Sequence, residues 1–294
     1  MAEALARPLP VTGLWGDAAR RLARNRVAVA AGVLLLLLLL LVIVGPWLSP
    51  YSYDQTDWDN MSLPPGLAGG HLFGTDPLGR DLFVRTLHGG RVSMAVGIVA
   101  TLVSLLIGVT WGAIAGYAGG RTDRFMMRVV DVLYALPFMF LVILLMVFFG
   151  RSIVLMFLAI GAINWLDMAR IVRGQTLALR EREFVEAARA IGVPAGTIIR
   201  RHIVPNLLGV VAVYVTLTIP QVILVESFLS FLGLGVQEPM TSWGALVNEG
   251  THELEQAPWM LIIPGGFLAL TLFCFNFLGD GLRDALDPRD RREA

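Results

Sequence analysis

The chain has no lysine: all 23 of its basic residues are arginine. That absence removes two kinds of chemistry. A phosphate-binding P-loop needs a lysine on the β- and γ-phosphates, and none is available. A lysine Schiff base is excluded for the same reason. Cysteine is nearly absent. The single Cys274 sits in an apolar run, can close no intrachain disulfide and can make no thiolate metal cluster; it reads as a small hydrophobe in a helix. The histidines His71, His88, His202 and His252 are scattered, without metal-ligand spacing, so neither metal nor cofactor is expected. No G-x-S-x-G elbow occurs, and no residue is assigned a catalytic role. Charge is also scarce, at 16% of residues against about 25% in soluble proteins.

Apolar residues fill the gap. They make up 56% of the chain, and the mean hydropathy is +0.69. With a formal net charge of zero, the composition points to membrane lipid as a partner and not to nucleic acid. A bilayer core of about 30 Å takes about 20 apolar residues as a helix. Six segments meet or approach that length: 27–48, 92–117, 129–149, 153–166, 207–225 and 258–278. The expected fold class is an all-α integral membrane protein with six transmembrane helices. Arg20, Arg21, Arg24 and Arg26 precede the first span as they would a signal peptide. Its apolar run is about twice a signal h-region, however, and no A-x-A site follows, so it reads as an uncleaved anchor.

Arginine distribution orients the spans. With the N-terminus inside, the cytoplasmic pieces hold 19 arginines and the outer pieces four: Arg80, Arg85, Arg91 and Arg151. The positive-inside rule then places both termini in the cytoplasm, and the longest cytoplasmic loop lies between spans four and five. The outer loop 45–91 carries Asp54, Asp57, Asp59, Asp76 and Asp81, with Trp47, Tyr51, Tyr53 and Trp58 suited to an interfacial belt. Residues 80–94 pattern as a separate amphipathic helix at the outer interface. The segment 227–257 is expected to dip back toward the membrane. No internal repeat or low-complexity linker is present.

The cytoplasmic loop reads REFVEAARAIGVPAGTIIRRHIVPN over 182–206. Phe184, Ala188 and Ile191 fall on one helical stripe. Gly192 can take the left-handed conformation that ends a helix, and Pro194 fits the first turn of another. Ile198, Ile199 and Ile203 continue an apolar face until Pro205-Asn206 breaks the pattern. The expectation is a helix–turn–helix with Ala187 and Ala188 on its exposed side, able to seat in a groove on another protein. An amphipathic helix lying on lipid headgroups is the alternative that the pattern leaves open.

Glu186-Ala187-Ala188, then Gly192, then His202-Ile203-Val204-Pro205 resembles the EAA loop of permeases in ATP-binding cassette importers of the type I fold. That signature runs E-A-A, three residues, G, nine residues, I-x-L-P. His202 and Val204 depart from it in the manner of the peptide and nickel branch. Three further runs resemble the same branch: Phe73 to Asp81 as F-G-T-D-x-x-G-R-D, Ser227 to Gly235 with Ser242-Trp243-Gly244, and Asn276 to Asp284 with Asp287-Pro288-Arg289. Together they are most similar to the second, C-type, permease of oligopeptide and dipeptide importers.

The resemblance implies a permease subunit of the bacterial inner membrane, multi-pass, carrying oligopeptides or dipeptides inward. It implies a division into a cytoplasmic tail 1–26, a first span and outer loop 27–91, a permease core 92–282 and a tail 283–294. It implies four kinds of partner: a homologous second permease in a heterodimer, two cytoplasmic ATPase subunits, an extracytoplasmic substrate-binding protein, and membrane lipid. Coupling to the ATPases falls to Glu186, Ala187, Ala188, Gly192, His202 and Pro205. No substrate-contacting residue is assigned, and nickel chelates or other solutes are carried by similar permeases.

Two rivals compete. A proton-driven transporter would show repeats and midplane carboxylates; Glu226 and Asp131, near span ends, are the carboxylates to consider. An intramembrane enzyme would need a nucleophile–base pair, and no such set stands out. Thr75, Asp76 and Gly79 read as a turn with Asp76 as N-cap of the following helix, with substrate contact as the alternative. Pro137, Pro220 and Pro264-Gly265-Gly266 interrupt three spans as hinges or as static kinks. Arg283 can pair with Asp280 or Asp284 at the inner end of span six.

Overall fold

Long apolar runs without strand-like alternation fold almost wholly into helices. The computed structural model describes residues 14–66, 70–150 and 152–286. In chain order the helices are α1 Leu14–Arg24, α2 Arg26–Leu48, α3 Leu82–Ala118, α4 Gly120–Tyr134, α5 Phe138–Phe149, α6 Ile153–Arg180, α7 Glu183–Ala190, α8 Ala195–Ile198, α9 Val204–Phe231, α10 Trp243–His252 and α11 Trp259–Leu286. A short 3₁₀ turn, Trp58–Asn60, lies in the first long loop, and a π segment, Ile199–Ile203, joins α8 to α9.

Five helical runs are long and apolar enough to cross a membrane: Arg26–Leu48, Leu82–Ala118, Val154–Arg180, Ala195–Phe231 and Trp259–Leu286. A sixth exists if α4 and α5, bent by 77°, count as one broken span. Pro137 interrupts the segment 129–149, as the sequence suggests, and does so as a break between two helices. Pro137 has no N–H and pushes the preceding residue away from helical torsions. It sits extended ahead of α5, at ψ 107. Pro220 and Pro264 lie inside continuous helices, so of the three proline sites only Pro137 breaks its span. The fourth span is also longer than expected, because α6 runs 28 residues to Arg180.

The separate interfacial helix over 80–94 does not form. Asp81 caps α3, its side chain accepting the Val84 N–H at 2.8 Å, and the helix then runs 37 residues unbroken. Its first turns are packed inside the protein: Leu82, Val84, Arg85, Thr86 and Leu87 are buried. Periodicity alone could not show that α2, α10 and α11 cover this face.

α3 is the axis of the bundle. Gly108, Gly112 and Gly116 recur every fourth residue and bring α6 to near backbone contact. A Cβ at Gly112 would stand 2.5 Å from the Ala169 carbonyl oxygen. Small residues are the expected device where lipid supplies no hydrophobic drive between helices. α2 is more peripheral, with Val33, Leu36, Leu37 and Leu40 exposed. Pro46 inside it leaves the Val42 carbonyl without its helical donor, and Arg91 of α3 supplies one from Nε at 2.9 Å.

Candidate functional site

Eight residues form α7, with Glu183 and Glu186 in its first turn and Arg189 in its last. That charge order suits the helix dipole. The exit is a Schellman turn. The Gly192 N–H donates to the Arg189 carbonyl at 3.0 Å, and the Val193 N–H donates to the Ala188 carbonyl at 3.0 Å. Gly192 takes φ +81, with nothing within 4 Å of where a Cβ would stand.

The faces of α7 differ from the expected stripe. Val185 and Ala188, one turn apart, are buried, whereas Phe184 is 41% and Ile191 81% exposed. Ala188 therefore points inward, and of the two alanines only Ala187 lies on the open side. The spacing of Val185 to Ala188 was visible in the sequence; what selects it is the neighbouring surface. Both residues join one core cluster with Met168 and Val172 of α6, Ile198, Ile203, and Leu207 of α9. The loop is thus anchored to the spans on one side and open on the other.

Pro194 precedes α8 as an extended cap rather than sitting in its first turn. Pro205 is no break either: it falls in the first turn of α9, and helix continues from Ala195 to Phe231. The π segment explains this. The Val204 N–H reaches back to the Ile199 carbonyl, and this wider turn makes room for the proline ring. His202 is half-buried, its ring 6.5 Å from that of Phe184. Glu186, Ala187, Gly192 and Pro205 are exposed. A shallow cleft of about 380 Å³ beside them is lined by Tyr117, Ala118, Arg180, Glu181, Glu186 and Arg189. The open side thus presents Glu186, Ala187, Gly192 and Pro205 to the surroundings, with charged side chains lining the cleft.

The other end of α3 carries a buried charge cluster. Asp76 accepts from the Leu78 and Arg80 N–H groups at 2.9 Å, from Arg80 Nε at 2.6 Å, and from Arg85 Nη1. Arg85 forks onto Glu249 of α10 at 2.8 and 3.0 Å, and Arg80 reaches Glu238 at 3.0 Å. Burial opposes the charge on Arg80, but Asp76, Glu238 and Glu249 outweigh it and raise its pKa. Asp76 is therefore not the N-cap; Asp81 is, and it also bonds His71 Nδ1 at 2.8 Å. Gly79 takes φ +72, and a Cβ there would collide with the Asp57 carbonyl. Arg85, Glu238 and Glu249 had escaped sequence reasoning, since no local pattern links residues 164 positions apart.

Glu226 is wholly buried and accepts from Ser93 Oγ at 2.8 Å and Ser230 Oγ at 2.7 Å. Ser93 Oγ in turn accepts the Trp243 N–H at 3.2 Å, so the carboxylate ties α3, α9 and α10 together. Asp131 pairs with Arg170 at 3.0 Å. Arg283 makes no ion pair with Asp280 or Asp284 among the described residues.

Residues 108–292 match the family described as binding-protein-dependent transport system inner membrane component, and residues 13–65 match the N-terminal TM domain of oligopeptide transport permease C. The oligopeptide transport system permease protein OppC of Haemophilus influenzae is 58% identical over 95% of this chain and 89% of its own length. That of Escherichia coli is 56% identical over 98% and 96%. The dipeptide transport system permease protein DppC of Bacillus subtilis is 47% identical over 94% and 86%. Among solved structures, an inward-facing MetNI methionine ABC transporter chain aligns with a TM-score of 0.55 at 20% identity, covering 70% of this chain and 96% of that one. That likeness speaks to the fold: a type I permease.

Proposed function

Because the chain belongs to the family of binding-protein-dependent transport system inner membrane components, we propose that it is the C-type permease subunit of an ATP-driven importer that carries oligopeptides or dipeptides across the bacterial inner membrane. The observation that carries this is identity of 56–58% to oligopeptide permeases over nearly the whole chain. The protein is a multi-pass, all-α permease and not an enzyme. ATP is hydrolysed by two separate cytoplasmic subunits, a second homologous permease completes the pathway, and an extracytoplasmic binding protein delivers the peptide. Both termini and α7 face the cytoplasm, in keeping with the arginine asymmetry.

The coupling is mechanical. The open side of the loop, with Glu186, Ala187, Gly192 and Pro205, seats on an ATPase subunit, and His202 and Ala188 brace it from behind. When the ATPase dimer closes, α7 moves. Val185 and Ala188 bear on Ile198, Ile203, Met168 and Val172, so the displacement passes into α6 and α9 without slack, as expected of close-packed side chains. The break at Pro137 supplies a point where the third span can flex.

The test is reconstitution. The purified chain alone shows no ATP hydrolysis. Assembled with its ATPases, second permease and binding protein in proteoliposomes, it supports ATP-dependent uptake of a labelled oligopeptide. Hydrolysis by the isolated, contaminant-free chain, or full uptake without it, overturns the proposal.

A further inference from the structure

At the end of α3 away from α7, three loop segments are tied into one cap: the Trp58–Asn60 turn, the loop 71–81 and the loop between α9 and α10. The Asp57 N–H donates to the Leu78 carbonyl at 3.2 Å, Thr75 Oγ1 donates to the Asn60 carbonyl at 2.6 Å, and Glu238 reaches across to Arg80. The open side of this cap is acidic. Asp54, Asp59, Glu238 and Glu255 are exposed, with Trp58, Met61 and Met240 exposed among them. Among the described residues no arginine of the outer segments balances these acids at the surface. Arg80 and Arg85 are buried, and the half-buried Arg91 is turned onto the Val42 and Ile43 carbonyls. Exposed Trp and Met side chains ringed by charge of one sign suit a protein partner of the opposite sign.

The ion network beneath this surface is unbalanced. Two arginines, Arg80 and Arg85, serve three carboxylates, Asp76, Glu238 and Glu249, so one negative charge is left over. Burial decides where the surplus lies. The side chain of Asp76 is 0% exposed and that of Glu249 30%, whereas that of Glu238 is 65% exposed. Glu238 is also the member with an alternative. Arg80 Nη1 holds it at 3.0 Å, while Arg80 Nη2 lies 3.8 Å from Glu249. Glu249 already receives both bonds of the Arg85 fork, but a carboxylate has about four acceptor sites. Arg80 therefore stands between two acids, one screened by solvent and one sheltered. An exposed pair of this kind is weak, so an external cation can win Glu238 and leave Arg80 to close on Glu249.

We propose that Glu238 is a docking switch: a lysine or arginine on the rim of the extracytoplasmic binding protein takes Glu238 from Arg80, Arg80 moves onto Glu249, and the loop between α9 and α10 is released from the start of α3. The proposal rests on the peptide-permease reading and on the outward orientation of this cap, and adds to them how arrival of the binding protein is sensed. The incoming cation supplies the charge that the network lacks. The released loop is continuous with α9, whose other end meets the core cluster of Val185 and Ala188. A contact made at the outer face thus bears on the helix that the coupling loop also grips.

The experiment uses the complete importer in lipid nanodiscs, titrated with its peptide-loaded binding protein, with ATP hydrolysis as the readout. For Glu238→Gln the half-saturating concentration of binding protein is expected to rise about two- to fivefold, the range for an exposed ion pair, and its dependence on salt to flatten. Glu255→Gln, an acid of the same face outside the network, controls for net charge. In a Cys274→Ser background, Met240→Cys should react faster with maleimide when Glu238→Gln is added, before any binding protein is present, and not when Glu255→Gln is added. Half-saturation unchanged in Glu238→Gln overturns the switch. Equal rises in the two variants with labelling of Met240→Cys unmoved also overturn it, and leave attraction by net charge alone. Cross-linking of Met240→Cys to the second permease, with and without binding protein alike, overturns it as well and marks the loop as a subunit contact. Absence of any stimulation by binding protein in the unaltered importer refutes the peptide-permease reading itself.

Discussion

Gly192→Val probes the loop at a single backbone torsion. Gly192 sits at φ +81, and nothing lies within 4 Å of a Cβ built there. A Cβ there therefore meets no neighbour, and the main effect of a substitution is on the backbone. Left-handed torsions cost a residue other than glycine about 1–2 kcal/mol, with β-branched residues at the high end. That corresponds to a factor of roughly 5–30 in the ratio of native to altered turn. Relaxing the strain would break the two bonds of the Schellman turn, from Gly192 to Arg189 and from Val193 to Ala188, and α8 would leave α7 at a different angle. Uptake of labelled oligopeptide should thus fall, by at most about 5–30-fold, the limit set by that shift in ratio. ATPase capture should weaken with it, and subunit abundance in the membrane should not change. Gly192→Asn, which tolerates left-handed torsions, should retain most activity. If the valine variant transports as well as the asparagine variant and still holds the ATPase, the loop is not the coupling element.

Three further outcomes are expected. In a Cys274→Ser background, Glu186→Cys should react with membrane-impermeant maleimide only from the cytoplasmic side and Asp57→Cys only from outside; the reverse pattern would refute the arginine-based orientation. Asp76→Asn removes a carboxylate shared by Arg80 and Arg85, and breaking a buried pair costs about 3–5 kcal/mol; thermal unfolding in detergent should show a clear loss, smaller for Glu249→Gln because Glu249 is 30% exposed. Gly112→Val drives a side chain into the Ala169 carbonyl and should lower the amount of folded subunit, whereas Gly174→Ala, on the facing helix with open space around it, should be neutral or slightly stabilising.

Much of the candidate loop was legible in the sequence because its determinants are local. The left-handed Gly192 follows from a glycine placed just after a short amphipathic run. The EAA spacing could be matched residue by residue. Legibility failed where a face had to be chosen. Phe184, Ala188 and Ile191 satisfied helical periodicity, yet the helix buries Val185 with Ala188, because Ile198, Ile203 and the α6 surface lie on that side. Pro205 looked like a stop, but a π turn upstream absorbed its ring. Asp76 looked like a cap for the same kind of reason: an acid before a helix is a good local candidate, and only the position of Arg85 shows that it serves another purpose.

The sequence by itself determined the class of the protein. Runs of about 20 apolar residues cannot remain in water, and a chain without lysine cannot cradle a nucleotide phosphate in a P-loop. It also determined where the spans fall to within a few turns, since hydropathy is a property of contiguous residues. Tertiary structure decided what contiguity does not encode. It extended α3 back to Leu82, set α4 and α5 at 77° to each other at Pro137, and joined Asp76, Arg80 and Arg85 to Glu238 and Glu249 across more than 150 positions. The physical reason is the same in each case. A buried charge or a small-residue stripe is stable only when its partner arrives, and that partner comes from a helix whose approach no local pattern records.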